Sequence, residues 1–179
     1  MERRTAKINI SSAGGTASQG SKTCKVTLPT TWLEAMGITE ENRELALSFD
    51  GARITLSRRI SGPDFVVQQS SLGHAVRILR LYDGEELCSS IYADLTGQMV
   101  VVENQTVSPV KTAFGNNTLP NWADFQNFLS ERCIPRQRSG LREYLEVLGL
   151  EEYDPWAIIG KTGGRMAEDQ QWLTIEVVK

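Results

Sequence analysis

The sequence predicts an α+β chain: short strands come first, then a β-meander, then a helical segment that ends in a strand. Three observations predict it. The dipeptides Asp50-Gly51, Asp83-Gly84 and Thr96-Gly97 separate short alternating runs, which is the pattern of hairpins. After Asn121 the apolar residues recur at helical spacing. A last alternating run, "WLTIEV", follows the helical segment.

Taken in order, "KINI" (residues 7–10) alternates as a strand, and "SSAGGTASQGS" (residues 11–21) is a small, polar loop expected to be mobile. "KTCKVTL" resumes the alternation without a clean apolar face, which suits an edge or an interface, and Pro29 ends it. Thr30 or Thr31 is placed to cap a short helix with Trp32, Leu33 and Met36 on one stripe, and Gly37 to supply the left-handed position after it. "LALSF", Asp50-Gly51 and "ARITLSR" read as strand, turn and strand. Between Phe65 and Val107 the pattern is again β, with strands expected at about 75–82, 86–93 and 98–104. "SPVKTAFGNNTLP" then reads as a linker. Asn121 is placed to cap a helix carrying Trp122, Phe125, Phe128 and Leu129, Ser139 a second carrying Leu141, Tyr144, Leu145 and Leu148, and Asp154 with Pro155 a third.

Composition narrows the function classes. With 179 residues, 40% hydrophobic and 23% charged, the chain has the length of one large or two small globular domains. No run of 18 apolar residues exists, and "MERRTAKINI" carries charge without an apolar core, so neither a membrane span nor a signal peptide is expected and the cytoplasm is the predicted location. Cys24, Cys88 and Cys133 are far apart, and His74 is the only histidine, so no disulfide framework, metal site, cofactor or histidine-based triad is expected. Residues 1–59 hold nine Lys/Arg against six Asp/Glu, a charge of +3; residues 60–179 hold ten against sixteen, a charge of −6. A basic head on an acidic body assigns any nucleic-acid contact to the head.

The order strand, "VTLP", short helix ending in "AMGI", acidic "TEENREL" and the hairpin "LSFDGARITLSRR" resembles the AbrB/MazE/SpoVT swapped-hairpin DNA-binding domain, over residues 5–59. The resemblance implies a barrel-like dimerisation domain at 1–60, made by two interleaved copies and lying on double-stranded DNA. It also implies Lys7, Lys22, Lys25, Arg53, Arg58 and Arg59 as the DNA-contacting candidates. Size agrees with dimerisation: some 55 residues of short strands bury too little to offset a backbone ordering cost of about 1–2 kcal/mol per residue. The competing reading is that these cations solvate edge strands.

Residues 61–179 are then an accessory domain, with a meander at 64–107 and a tail at 120–179. The tail holds "FLSERCIPRQR", "YDPWAI" and "KTGGRMAED". It resembles C-terminal regions of uncharacterised proteins of Firmicutes phages and mobile elements, and an anti-CRISPR group is one suspected likeness. "KTGG" lacks the frame of a phosphate-binding P-loop, and adjacent Glu168 and Asp169 are not a catalytic carboxylate pair. The sequence therefore predicts a binding protein rather than an enzyme. Arg132, Arg136, Arg138 and Arg165 are its partner-contact candidates, with internal pairing to acids as the alternative. Two functions follow: a homodimeric AbrB-type DNA-binding regulator, or a mobile-element protein that binds and inhibits a type II RNA-guided CRISPR nuclease (Cas9).

Overall fold

The structure is a computed structural model and describes residues 2–12, 21–49 and 51–178. Most of the loop expected over 11–21, and Asp50 of the Asp50-Gly51 turn, lie outside the described residues. The fold is mixed α and β with antiparallel sheets, none closed into a barrel, and the chain divides into two compact units, Met1–Arg59 and Ile60–Lys179.

In the first unit β1 (Ile8–Ser12) pairs with β2 (Lys22–Val26), and β3 (Leu45–Phe49) pairs with β4 (Ile54–Arg58), as two separate two-stranded sheets. Helix α1 (Thr30–Ala35) lies between them in sequence. Neither threonine caps it: Pro29 holds the N-cap position in an extended conformation without a side-chain bond, and its carbonyl accepts from Trp32 N–H at 3.0 Å. Gly37 does take the left-handed conformation that ends the helix (φ 67°).

The register shows which side chains share a face, since residues opposed across an antiparallel pair point the same way. Ile8 faces Val26 and Ile10 faces Cys24; on the other hairpin Leu47 faces Leu56 and Phe49 faces Ile54. Each hairpin thus has one apolar face, yet none of the described residues of this unit is buried. Ile8, Ile10, Val26, Leu47, Phe49 and Ile54 are exposed, from 47% at Val26 to 69% at Phe49, and Leu56 is half-buried.

The second unit is built on a sheet of order β7-β6-β5-β8, all antiparallel: β5 (Val76–Asp83), β6 (Glu86–Asp94), β7 (Met99–Asn104) and β8 (Gln171–Val177). Leu79, Leu81, Ile91, Ala93, Val102 and Leu173 point to one face. There they pack against α3 (Trp122–Glu131), α4 (Leu141–Leu148) and α5 (Pro155–Thr162) through Phe125, Phe128, Leu129, Leu145, Ile158 and Ile159. The tail and the strands consequently share one core. The β8 strand returns beside β5, and the segment 105–120 is tied to the sheet through Ser89 and Gln171, whose side chains meet Ala113 N–H and the carbonyls of Val110 and Lys111.

One element departs from the expected meander. Residues 62–71 form a helix, α2 (Gly62–Ser71), against the opposite sheet face. Its start is well specified: the Ser61 hydroxyl accepts from Asp64 N–H at 3.2 Å, and Pro63 occupies the first turn, where its missing N–H costs nothing. Glycine is required at position 62 because a Cβ would run into the Tyr92 ring, and Gly62 N–H donates to Glu103 at 2.7 Å. Asn121 caps α3 reciprocally with Asp124, and Asp154 caps α5, as expected. Ser139 does not cap α4; Gly140, left-handed at φ 80°, holds that position without a side-chain bond.

The Thr96-Gly97 turn forms where expected, but the left-handed residue is Gln98 (φ 53°). Gly97 is small for a different reason: a Cβ there would strike the Asp94 carboxylate. Asp94 is fully buried, accepts from Thr96 and Gly97 N–H at 2.9 and 3.0 Å, and lies 2.7 Å from His74 Nδ1. Burial pushes its pKa up, but the Gly97 N–H, the His74 ring and the Thr96 N–H outweigh burial and hold it below the usual value.

Asp94→Ala strips three groups, the Thr96 and Gly97 N–H groups and the His74 ring, of their shared partner, and we expect it to destabilise the second unit by about 3 kcal/mol at neutral pH. Because the folded carboxyl titrates below its unfolded value of about 3.9, its contribution is complete above that pH and fades as pH falls through the lower folded value. Denaturation followed by tryptophan fluorescence should show the gap between wild type and variant closing in acid. A gap that persists unchanged below the folded value would refute this assignment.

Candidate functional site

The first unit presents its cations unevenly. Lys25 opposes Asn9 across the β1–β2 pair, and Lys7 has the same parity as Asn9, so both belong to the polar face of that hairpin. Lys22 opposes Ser12 and shares the parity of Ile10 and Cys24, on the apolar face. Arg58 opposes Leu45 on the apolar face of β3–β4, and its guanidinium lies against Gly37, with Nη1 3.2 Å from where a Cβ would sit. Arg59 pairs with Glu44 at 3.0 Å, both well exposed, and Arg53 precedes β4 and also has a partner. The three lysine candidates thus divide between the two faces of the first hairpin.

The second unit brings its three tail motifs together. Arg132 ends α3; its Nη1 donates to Asp169 at 2.8 Å, its Nη2 donates to the Gln171 side-chain oxygen, and its guanidinium lies 6.0 Å from the Phe128 ring. With 12% of its side chain exposed, Arg132 makes the internal acid pairing expected as the alternative to partner contact. The Tyr153 hydroxyl, from the "YDPWAI" motif, donates to the Ile134 carbonyl at 2.8 Å, and the Cys133 thiol approaches the Pro155 carbonyl at 3.8 Å.

Around this junction two cavities of about 470 and 420 Å³ share Cys133, Pro135 and Met166 as walls. The first adds Arg136 and Tyr153, and the second adds Arg138, Tyr144, Arg165 and Glu168. Arg136 stacks on Tyr153 at 4.3 Å, and Arg165 lies over Trp172 at 5.2 Å. Among the described residues Arg136, Arg138 and Arg165 make no ion pair, and all three are exposed. Sequence reasoning named these arginines but missed Tyr144, Tyr153 and Met166. Tyr144 reads as part of the apolar stripe of the second tail helix, Tyr153 appears only within the "YDPWAI" motif, and Met166 carries no signal of its own.

Burial raises the Cys133 thiol to about 11, despite an opposing hydrogen bond with Tyr153, so it remains protonated at neutral pH and is not an activated nucleophile. Among the described residues no group of His, Cys, Asp and Glu has the makings of a metal site, and no helix is long and apolar enough to cross a membrane. No family model matches the chain, and neither the curated proteins nor the solved structures contain a significant match to it.

The glycine pair of "KTGGR" sets the position of Arg165. Gly163 and Gly164 are both left-handed (φ 66° and 59°), and a Cβ on Gly164 would lie 3.1 Å from Leu173 Cδ1 and 3.3 Å from Arg132 Cβ. Gly164→Ala adds left-handed strain of about 1–2 kcal/mol to that crowding, and we expect a loss of about 2–3 kcal/mol. Thermal unfolding of the full chain measures it; unchanged melting would mean that the turn is free to rearrange.

Proposed function

We propose that residues 1–59 act as a homodimeric DNA-binding module of the AbrB type, and that residues 60–179 are a partner-binding unit carried with it. The open apolar faces of the two hairpins carry this reading. Ile8, Ile10, Val26, Leu47, Phe49 and Ile54 together forgo about 1.5–3 kcal/mol each while exposed, and a second copy with interleaved hairpins supplies the missing core. Lys7 and Lys25, on the polar face of the first hairpin, are the leading phosphate contacts; Lys22, Arg53, Arg58 and Arg59 are secondary, because each lies on another face or has a partner already.

Light scattering should give a dimer at micromolar concentration, and Phe49→Asp should convert it to monomer. On duplex DNA, Lys7→Ala and Lys25→Ala should each reduce the slope of log affinity against log salt by about 0.9, one phosphate contact apiece. A wild-type monomer, or a slope that neither substitution changes, would remove the reading.

The −6 charge of residues 60–179 favours a second reading, in which the protein occupies the positively charged nucleic-acid channel of an RNA-guided nuclease. In a DNA-cleavage assay with a type II nuclease, an equimolar amount of the full chain should then abolish cutting, and addition of salt should restore it. Undiminished cleavage at a tenfold excess would discard this reading.

A further inference from the structure

We infer that the paired cavities at the Cys133–Pro135 junction bind an extended acidic peptide segment of a partner protein, one in which an apolar residue lies between two carboxylates. The inference rests on the partner-binding reading of the second unit and names the chemistry of its partner. Pro135 and Met166, with Cys133, form the apolar wall that the two cavities share. Arg136 lines one cavity and Arg138 the other, so each cavity has its own arginine beside the shared apolar wall. An apolar side chain seated on Pro135 and Met166 places carboxylates on either side of it within reach of these two arginines.

The arginines are prepared for this task. Arg136 is stacked on Tyr153 and Arg165 lies over Trp172, and a stacked guanidinium keeps its N–H edge free for a bidentate carboxylate while losing little side-chain freedom on binding. Neither they nor Arg138 are neutralised by an ion pair among the described residues, although the unit as a whole carries −6. Local positive charge that survives on an acidic body is complementary to an acidic ligand.

A nucleic-acid strand fits less well. The Tyr153 ring face is already covered by Arg136, and its hydroxyl is committed to Ile134, which leaves it unsuited to base stacking. Glu131 lines one cavity and Glu168 the other, and a continuous run of phosphates meets both like charges.

The test uses the full chain with its methionine methyl groups labelled. The probes are a twelve-residue peptide of repeated Glu-Glu-Phe-Glu, the same peptide with Lys for Glu, and an oligothymidylate. The acidic peptide should shift the Met166 methyl signal, bind about tenfold more weakly to Arg136→Gln and to Arg138→Gln, and lose affinity with salt. Met166→Ala should weaken it further without changing the melting temperature. A Met166 signal that the acidic peptide leaves in place overturns the inference. So does equal affinity for the Arg136→Gln, Arg138→Gln double variant, or a shift caused by the oligonucleotide or the Lys peptide instead. Capture of a host protein that persists in the double variant keeps the partner-binding reading and overturns the groove as its site. Arginine-dependent peptide binding without any captured protein supports the groove chemistry and counts against that reading.

Discussion

Arg132 keeps 12% of its side chain exposed, so its charge is sustained by Asp169, the Gln171 amide and the Phe128 ring instead of by water. Such a group costs several kcal/mol to desolvate, and only a well-shaped set of acceptors offsets that cost. The acceptors come from a segment 37 and 39 residues away, which must therefore arrive at a fixed place. Asp169 also accepts from Gln171 N–H at 2.9 Å, so one carboxylate fixes both the end of α3 and the entry to β8. Both walls of the arginine groove, 133–140 and 163–168, hang from this contact. Its net contribution to stability is small; its contribution to geometry is larger, because it ties the end of α3 to the entry of β8.

The two units solve the burial problem in different ways. In the second, a four-stranded sheet sandwiched by helices buries Leu79, Leu81, Ile91, Phe125 and Ile158 completely. In the first, two hairpins and a six-residue helix bury none of their described residues, although the registers gather most of the apolar side chains on one face of each hairpin, with Lys22 and Arg58 at the ends of those faces. Sorting without burial is informative. Random surface hydrophobes scatter, whereas Leu47–Leu56 and Phe49–Ile54 are cross-strand pairs on one face, the arrangement that yields stability only when a further layer covers it.

Strands flanked by turn dipeptides, and the capped helices α3 and α5, were legible because their signals are local: Asp-Gly, Asn121 with Asp124, Asp154 with Pro155. Helix α2 was not, although Ser61, Pro63 and Asp64 are sound start signals. Its "FVVQQSS" run mixes β-branched and polar residues with a weak apolar stripe, and what holds it is the fit of Gly62 to Tyr92 and Glu103, a contact 30 to 41 residues away. Ser139 failed as a cap for a related reason. Left-handed Gly140 turns the chain into α4 directly, and a serine one residue earlier is outside the helix. In the candidate site the arginines were visible as a cluster, but which of them is structural was not, since Arg132 and Arg136 differ only in what the fold brings to them.

That difference decides how the tail motifs should be read. "RCIPRQR", "YDPWAI" and "KTGGRMAED" have no catalytic spacing because much of each is scaffolding: Arg132 with Asp169, Tyr153 with Ile134, Asp154 at a helix cap, two left-handed glycines at a turn. Once those roles are subtracted, Arg136, Arg138, Arg165 and Met166 remain, and among the described residues none of the three arginines is in an ion pair. Tyr153 belongs to both groups, with its hydroxyl bound to the backbone and its ring stacked on Arg136. A residue that anchors the scaffold through one atom and orients a free guanidinium through its ring connects structure to recognition. Through it, the clamp that fixes the loops also fixes the direction in which the groove offers its positive charge.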